Sequence, residues 1–298
     1  MKRAVSVSIG SSKRDKAVTV TLRGEEISIE RIGTDGDLKK AAQLFKELDG
    51  TVDALGLGGG DFGTEFAGKF FRYHNVAWIA DDVKETPVVD GSGLRNTLEA
   101  RLAEFIEKEI GEHINPKRVL LPAASDRWGL TKGFIDAGYE CIFGELMFGL
   151  GIPIPLRSVN ALKALATSLY PIVMRLPFSW IYPTGDKQTM REPKFEKYYQ
   201  WASVIAGDNN YIVRHMPDKL EGKVIVTNTT TPDDMDLFKK AGVKYVVTGT
   251  PAIDGRSFGT NMMEAAFIAV SGKKRKLTND ELNEMLDELD FKPQIREL

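Results

Sequence analysis

Pro122-Ala123-Ala124-Ser125-Asp126-Arg127-Trp128-Gly129 stands between two apolar runs, Val119-Leu120-Leu121 and Cys141-Ile142-Phe143. Strand, turn, helix, glycine and strand open a βαβ unit, and in a dinucleotide fold that turn reads G-x-G-x-x-G. Aligned on the third glycine, Gly129 fits, while Ala124 and Asp126 take the first two places. A carboxylate at the second place faces the pyrophosphate. At ~4 Å two like charges cost about 1 kcal/mol in water, and several more where water is excluded. The other reading of Ser125 and Asp126 is a helix cap. Glu145 lies about twenty residues on, at the end of the next strand, where a ribose-binding acid belongs. Arg127 can offset phosphate charge. The cofactor-binding candidates here are thus Ser125, Asp126, Arg127, Gly129 and Glu145.

Three further strand ends are polar: Asn228-Thr229-Thr230-Thr231, Asp208-Asn209-Asn210 and Gly249 to Arg256. Ligands of open α/β sheets bind at the carboxyl edge of the strands. Asn228, Thr229 and Thr230 can reach a ribose, a nicotinamide or a substrate hydroxyl. Thr231 with Asp234 also reads as a helix cap. Asp208 is a candidate general base, given a tuned pKa. Asp90-Gly91-Ser92-Gly93-Leu94-Arg95 sets a glycine loop and a guanidinium at a helix start, which suits a carboxylate or phosphate. Asp90, Ser92, Arg95 and Arg256 are therefore substrate-binding candidates. The loop Ser8 to Lys13 is a weaker phosphate candidate. Leu176 to Gln188 mixes aromatic residues with a polar tip, as a lid or a subunit interface would, and Lys187 in it is a candidate catalytic lysine.

The elements that must position these groups alternate. Residues 4–9, 17–22 and 25–32 read as a short antiparallel meander, followed by a helix near 38–48 and strands near 52–57 and 87–89. Asn96 with Glu99 looks like the cap of a helix over 97–110. Strands at 118–122, 140–145, 203–207, 223–227 and 244–248 then alternate with helices at 127–137, 159–169, 233–241 and 260–270. A strand can also be read near Ile172 to Leu176. This pattern predicts an N-terminal mixed α/β domain over 1–114, then a Rossmann-like, doubly wound and mostly parallel domain over 115–298. Thr278 and Glu281 form a capping box for a last helix, 279–290, whose apolar stripe docks on the body or on a second subunit of a homodimer.

Composition narrows the function classes. The chain has 298 residues and a net charge of −2, so no basic surface favours nucleic acid or an anionic membrane. One cysteine excludes an internal disulfide framework, and three scattered histidines give no metal-ligand spacing. The N-terminal strand is too short and too alternating for a signal peptide, and Ala161 to Tyr182 is interrupted by charges and prolines. The expectation is a soluble cytoplasmic protein with a small-molecule substrate and no metal.

The segments "VVDGSGLRNTLE", "GIPIPLRS", "LPFSWIYPTGDKQ", "IVTNTTTPDD" and "DGRSFGTN" together resemble bacterial proteins labelled quinate or shikimate 5-dehydrogenase. The resemblance implies a substrate domain followed by a Rossmann domain. It also implies NAD- or NADP-linked oxidation of a ring hydroxyl in a small hydroxy acid. Asn228-Thr229-Thr230 echoes the Asn-Ala-Thr-Ser strand end of those enzymes, and Glu145 on the ribose would favour NAD over NADP. Two alternatives stay open: a non-redox enzyme acting on a phosphorylated or nucleotide-like substrate, and a ligand-binding protein without catalysis.

Overall fold

The computed structural model describes residues 1–176, 191–249, 252–253, 256–257 and 259–298, with backbone alone at 252–253 and 256–257. In chain order the elements begin Lys2–Ser8 (β1), Lys16–Leu22 (β2), Glu25–Gly33 (β3), Leu38–Leu48 (α1), Ala54–Gly58 (β4), Gly63–Phe66 (β5), Lys69–Arg72 (β6), His74–Ala77 (α2) and Val88–Val89 (β7). Ser92–Ala100 (α3), Leu102–Ile110 (α4), Arg118–Leu121 (β8), Trp128–Asp136 (α5), Glu140–Phe143 (β9), Val159–Val173 (α6) and Glu196–Trp201 (α7) follow. Val204–Ala206 (β10), Asn209–His215 (α8), Val224–Thr227 (β11), Pro232–Lys240 (α9), Tyr245–Thr248 (β12), Ala252–Ile253 (β13) and Arg256–Ser257 (β14) come next. Thr260–Ser271 (α10), Asn279–Glu288 (α11) and Gln294–Glu297 (β15) end the chain.

The protein is a mixed α/β structure on two main sheets in which parallel pairing dominates. Sheet one runs β2-β3-β1-β4-β7 and sheet two runs β15-β12-β11-β10-β8-β9. Only β2 and β15, one edge strand of each, pair antiparallel. The meander expected at the N-terminus is half right. β2 and β3 form the hairpin, but β1 pairs with β3 and β4 in parallel and lies inside the sheet. Its residues explain the place: Ala4, Val5, Ser6, Val7 and Ser8 are all buried, so both faces of β1 need cover.

Each main sheet is covered on both sides, because alternate residues of its strands point to opposite faces. On sheet one, Val5, Val7, Leu55 and Leu57 meet Phe45 of α1. The other face, with Ala4, Ile27, Ile29 and Ala54, meets Met262, Phe267, Leu282 and Leu286. The last two helices thus return to the first sheet. α10 has nine consecutive buried residues, Met262 to Val270, all apolar but Glu264, so the helix is enclosed on every side. α11 carries the Thr278–Glu281 capping box and docks its stripe on this same face. On sheet two, Val119, Leu121, Val204 and Val226 face Leu130, Phe134 and Leu162, while Leu120, Ile142, Ile205 and Ile225 face Ile212 and Phe238.

The helix expected over 97–110 is two helices. α3 starts earlier, after Gly91 at φ 85°, and Arg101 separates it from α4. Asn96 caps nothing at the start, and Glu99 lies inside α3, buried. No strand forms over Ile172 to Leu176; α6 runs through Pro171 instead. α7, α8 and β15 were not foreseen, being short and weakly periodic. The expected break at 114/115 falls between α4 and β8, in the chain that joins the two sheets. Among the described residues no helix is long and apolar enough to cross a membrane.

Candidate functional site

Strand order reverses once in each sheet. In sheet one, β1 sits between β3 and β4, and in sheet two, β8 sits between β9 and β10. At such reversals the loops leave in opposite directions and open a crevice at the carboxyl ends. The chain after β4 gives Gly59-Gly60-Asp61, the chain after β8 gives Pro122 to Arg127, and the chain after β10 gives Gly207-Asp208. The sheet order 2-1-3-4-5 over β8 to β12 is the flavodoxin-like winding.

α3 ties the two crevices together. Gly129 and Gly133 let α5 lie directly on it: a Cβ at Gly129 would stand 2.2 Å from Asn96 O, and one at Gly133 2.5 Å from Ala100 O. On α3, Arg95 reaches Asp61 of the first sheet through both terminal nitrogens, at 3.4 and 3.3 Å. One turn on, Glu99 accepts from Arg127 of the second sheet at 2.5 Å. Arg127 also donates to Asp208, and its side chain is only 7% exposed. Asn228 adds a hydrogen bond to Asp208 at 3.0 Å. A hydrogen-bonded chain Glu99–Arg127–Asp208–Asn228, buried at its first three members, therefore links α3 to the strand ends of the second sheet.

Electrostatics show which groups share the space. Burial pushes the Asp61 carboxyl up, Arg95 opposes this, and the Asp90 and Asp126 charges push it further. Burial disfavours the Arg95 cation, but Asp61, Asp126, Glu99 and Asp90 hold it well above the usual guanidinium range. Tyr73 and Tyr170 are raised by burial and then by the Asp126 charge. Tyr211 is pushed up to about 12 by burial, with Asp126 and Asp208 adding. Asp126 thus lies within electrostatic reach of groups from both sheets. Its side chain is 42% exposed, and its nearest cation is Arg127 Nε at 3.9 Å.

Each expected site residue can now be placed. Arg95, Ser125, Asp126, Arg127, Glu145, Asp208 and Asn228 come together. Their roles differ from those expected. Ser125 and Asp126 do not cap α5, whose first residue has Arg127 before it with no side-chain cap. Ser125 N–H donates to Glu145 at 2.6 Å, and Ser125 Oγ accepts from Tyr170 at 2.6 Å. Glu145 is thus turned onto the β8–α5 turn instead of out toward a ribose. Gly129 serves helix packing in place of pyrophosphate approach. Arg127 is held by two carboxylates in place of a phosphate. Asp208 accepts from Arg127, Asn228 and Asn210, so both its oxygens are engaged, unlike those of a poised base.

Asp90 and Ser92 staple their own loop. Asp90 accepts from Phe62 N at 2.7 Å and from Ser92 N and Oγ at 3.0 and 2.6 Å. Thr229 and Thr230 do not join the crevice. They line a cavity of ≈ 240 Å³ toward the β15 edge, with Met235, Gln294 and Arg296, and Asn228 is shared between it and the Asp208 cluster. The loop Ser8 to Lys13 is occupied by Arg31, which donates to Ser8 Oγ and Ser11 O. Arg256 lies on β14, but its side chain is outside the described residues, as is Lys187 altogether. No group of three or more metal-ligating side chains forms among the described residues.

Residues 93–298 match the model of a family described as a domain of unknown function, DUF8754, and residues 3–90 match a second domain of unknown function, DUF8753. The chain belongs to the DUF8754 family. No curated protein matches it. A galactofuranose binding protein is similar over 97% of this chain and 98% of its own, at 12% identity and a TM-score of 0.39. The NAD-dependent malic enzyme of Thermotoga maritima is similar over 95% and 75%, at 13% identity and a TM-score of 0.41. A glucose-galactose binding protein from Geobacillus stearothermophilus is similar over 99% and 97%, at 10% identity and a TM-score of 0.36.

The crevice needs both matched segments. The DUF8754 segment supplies Arg95, Glu99, Asp126, Arg127 and Asp208, and the DUF8753 segment supplies Asp61. Asp61, Glu99, Tyr73, Tyr170 and Tyr211 were missed from the sequence. Asp61 follows a strand and three glycines, the same polar strand-end signal used elsewhere, and could have been found. Glu99 has the spacing of a cap partner, which hides its role. The tyrosines carry no local signal, since only the fold brings them to Asp126.

Proposed function

We propose that the protein binds a small polar organic molecule in the crevice between the two switch points, and that this molecule is not phosphorylated. One observation carries the reading. The groups that would hold a phosphate are engaged internally: Glu145 takes the Ser125 N–H, and carboxylates take both Arg95 and Arg127. Among the described charged groups gathered there the most exposed is the Asp126 carboxylate, at 42%, which repels an anion. The test is a thermal-shift panel of NAD, NADP, ATP, S-adenosylmethionine and neutral sugars. A ligand at a hundredfold its Kd adds about 2.7 kcal/mol of stability. Stabilisation by uncharged or cationic compounds and none by the phosphorylated ones is the expected result. NAD as the strongest stabiliser would overturn it.

A second reading is an oxidoreductase using NAD or NADP on a small hydroxy acid. It draws on the resemblance to quinate or shikimate 5-dehydrogenases and on the cavity at Asn228, Thr229 and Thr230, at the carboxyl end of β11. For that cofactor to lie across the β8–α5 turn, Asp126 must turn aside and Glu145 must release Ser125. Calorimetric titration of NAD into wild type and Asp126→Gly decides: heat in both, with tighter binding by the variant, favours the dinucleotide.

A further inference from the structure

Sheet two ends in an antiparallel edge, and its pairing builds one wall of the cavity beside Thr229 and Thr230. β15 sets Arg296 opposite Val246 and Gln294 opposite Thr248. Opposed residues share a face, as do residues two apart along a strand, so these four side chains stand together. Met235 of α9 and the turn Asn228-Thr229-Thr230 after β11 complete the lining. The place is the carboxyl end of two parallel strands, β11 and β12, the edge at which open α/β sheets take ligands.

The polar groups around this cavity are not spent on the protein. Among the described residues Arg296 forms no ion pair or hydrogen bond, and the side chains of Thr229, Thr230, Thr248 and Gln294 form none. In the crevice, by contrast, carboxylates hold both Arg95 and Arg127. Glu297 follows Arg296 on β15 and so points to the other face. Asp234 of α9 is held by Thr231 and Asn209. A guanidinium without a carboxylate suits an oxyanion, and it meets a carboxylate through two parallel hydrogen bonds. Threonine hydroxyls and a glutamine amide both donate and accept, as ligand hydroxyls do. Met235 and Val246 offer apolar contact to a carbon chain. The volume, ≈ 240 Å³, is below the range of about 300–1,000 Å³ that takes drug-sized ligands, so the occupant is short.

We propose that this cavity binds a short hydroxy-carboxylate, its carboxylate on Arg296 and its hydroxyls on Thr229, Thr230, Thr248 and Gln294. The site goes beyond the crevice reading and does not rest on it. Asn228 lines the cavity and donates to Asp208 at 3.0 Å, which joins the site to the Arg127 cluster.

Thermal-shift titration of the full chain tests this, with D-glycerate, L-malate, propionate, glycerol and glycerol 3-phosphate at equal concentrations and matched ionic strength. D-glycerate or L-malate should raise the melting temperature in a saturable way. Propionate should bind at least ~10-fold more weakly, and glycerol should not bind. Arg296→Gln, at an exposed edge position and with its fold checked by circular dichroism, should weaken the binding at least ~10-fold, the scale of one lost charge-assisted hydrogen bond. Lys292→Gln removes an exposed cation outside the cavity and should leave binding unchanged. No shift with either hydroxy acid, an equal shift in Arg296→Gln, propionate as tight as D-glycerate, or tightest binding of glycerol 3-phosphate would overturn the proposal. NAD binding that Arg296→Gln removes would overturn it too, and would give the cavity to the cofactor.

Discussion

Arg127 is the residue on which the link from α3 to the second sheet depends. It bridges Glu99 of one helix and Asp208 of the second sheet, buried at both ends. Removing one partner of a buried pair leaves charges unpaired, so Arg127→Leu should lower stability by ~3–5 kcal/mol. Asp126→Asn, at a half-buried position with no cation nearer than 3.9 Å, should change it by no more than ~0.5 kcal/mol. Urea denaturation of both variants checks the contrast. Two other acids tune the pH response: Glu145 and Glu264 are each pushed up to about 7 by burial. Their folded pKa values lie above the unfolded ones, so the folded state holds more protons between ~4.5 and about 7. Stability from these groups is full below that window and is lost as pH rises through it. Glu264→Gln keeps an acceptor for Leu94 N–H. It should raise the denaturation midpoint near pH ~8 and leave it unchanged near pH ~5; an equal effect at both would refute the titration. At this scale the sequence pointed to the right neighbourhood. Residue type and strand-end position survive folding, but which oxygen meets which donor is set by packing across the sheets.

α3 is the element that couples the two sheets, and its contact with α5 depends on two missing side chains. Gly129→Ala and Gly133→Ala would set a Cβ against backbone oxygens at 2.2 and 2.5 Å, and each should cost ~1–3 kcal/mol by overpacking. Gly149→Ala meets nothing within 4 Å and should change stability by less than ~0.5 kcal/mol. Thermal melts of the three variants would show whether the helices must lie this close. The elements themselves were mostly legible, because buried β strands and amphipathic helices differ in period. The exceptions have physical causes. Glycine that admits a phosphate and glycine that admits a neighbouring helix are the same letter, so Gly129 was misread. Asn96 and Glu99 have the spacing of a cap, yet α3 begins after the left-handed Gly91, four residues before any such signal. β1 was placed in a hairpin because sequence proximity favours it, while burial on both faces drew it inward.

At the scale of the whole molecule the chain visits sheet one, builds sheet two and comes back. Phe267 of α10 is fully buried against the first sheet, although more than two hundred residues separate it from β1 and β3. Phe267→Ala should therefore cost ~3–5 kcal/mol. Hydrogen exchange should quicken first in β1 and β3, not in β11 or β12; the reverse pattern would show that α10 belongs to the second sheet's cooperative unit. The fold class was readable from the alternation of strands and helices, but this return was not, because nothing in a helix's apolar pattern names the sheet it will cover. The return has an evolutionary consequence. The two family matches divide near residue 91, as though the halves were exchangeable. Yet Gly56 must admit Asn261, with a Cβ there falling 2.9 Å from the Asn261 carbonyl oxygen. A gene fusion joining the first ninety residues of one lineage to the remainder of another would inherit a mismatched lock between the two ends of the chain. Such shuffling is viable only where both parents keep small residues at that meeting point, which ties the ancestry of the two segments together.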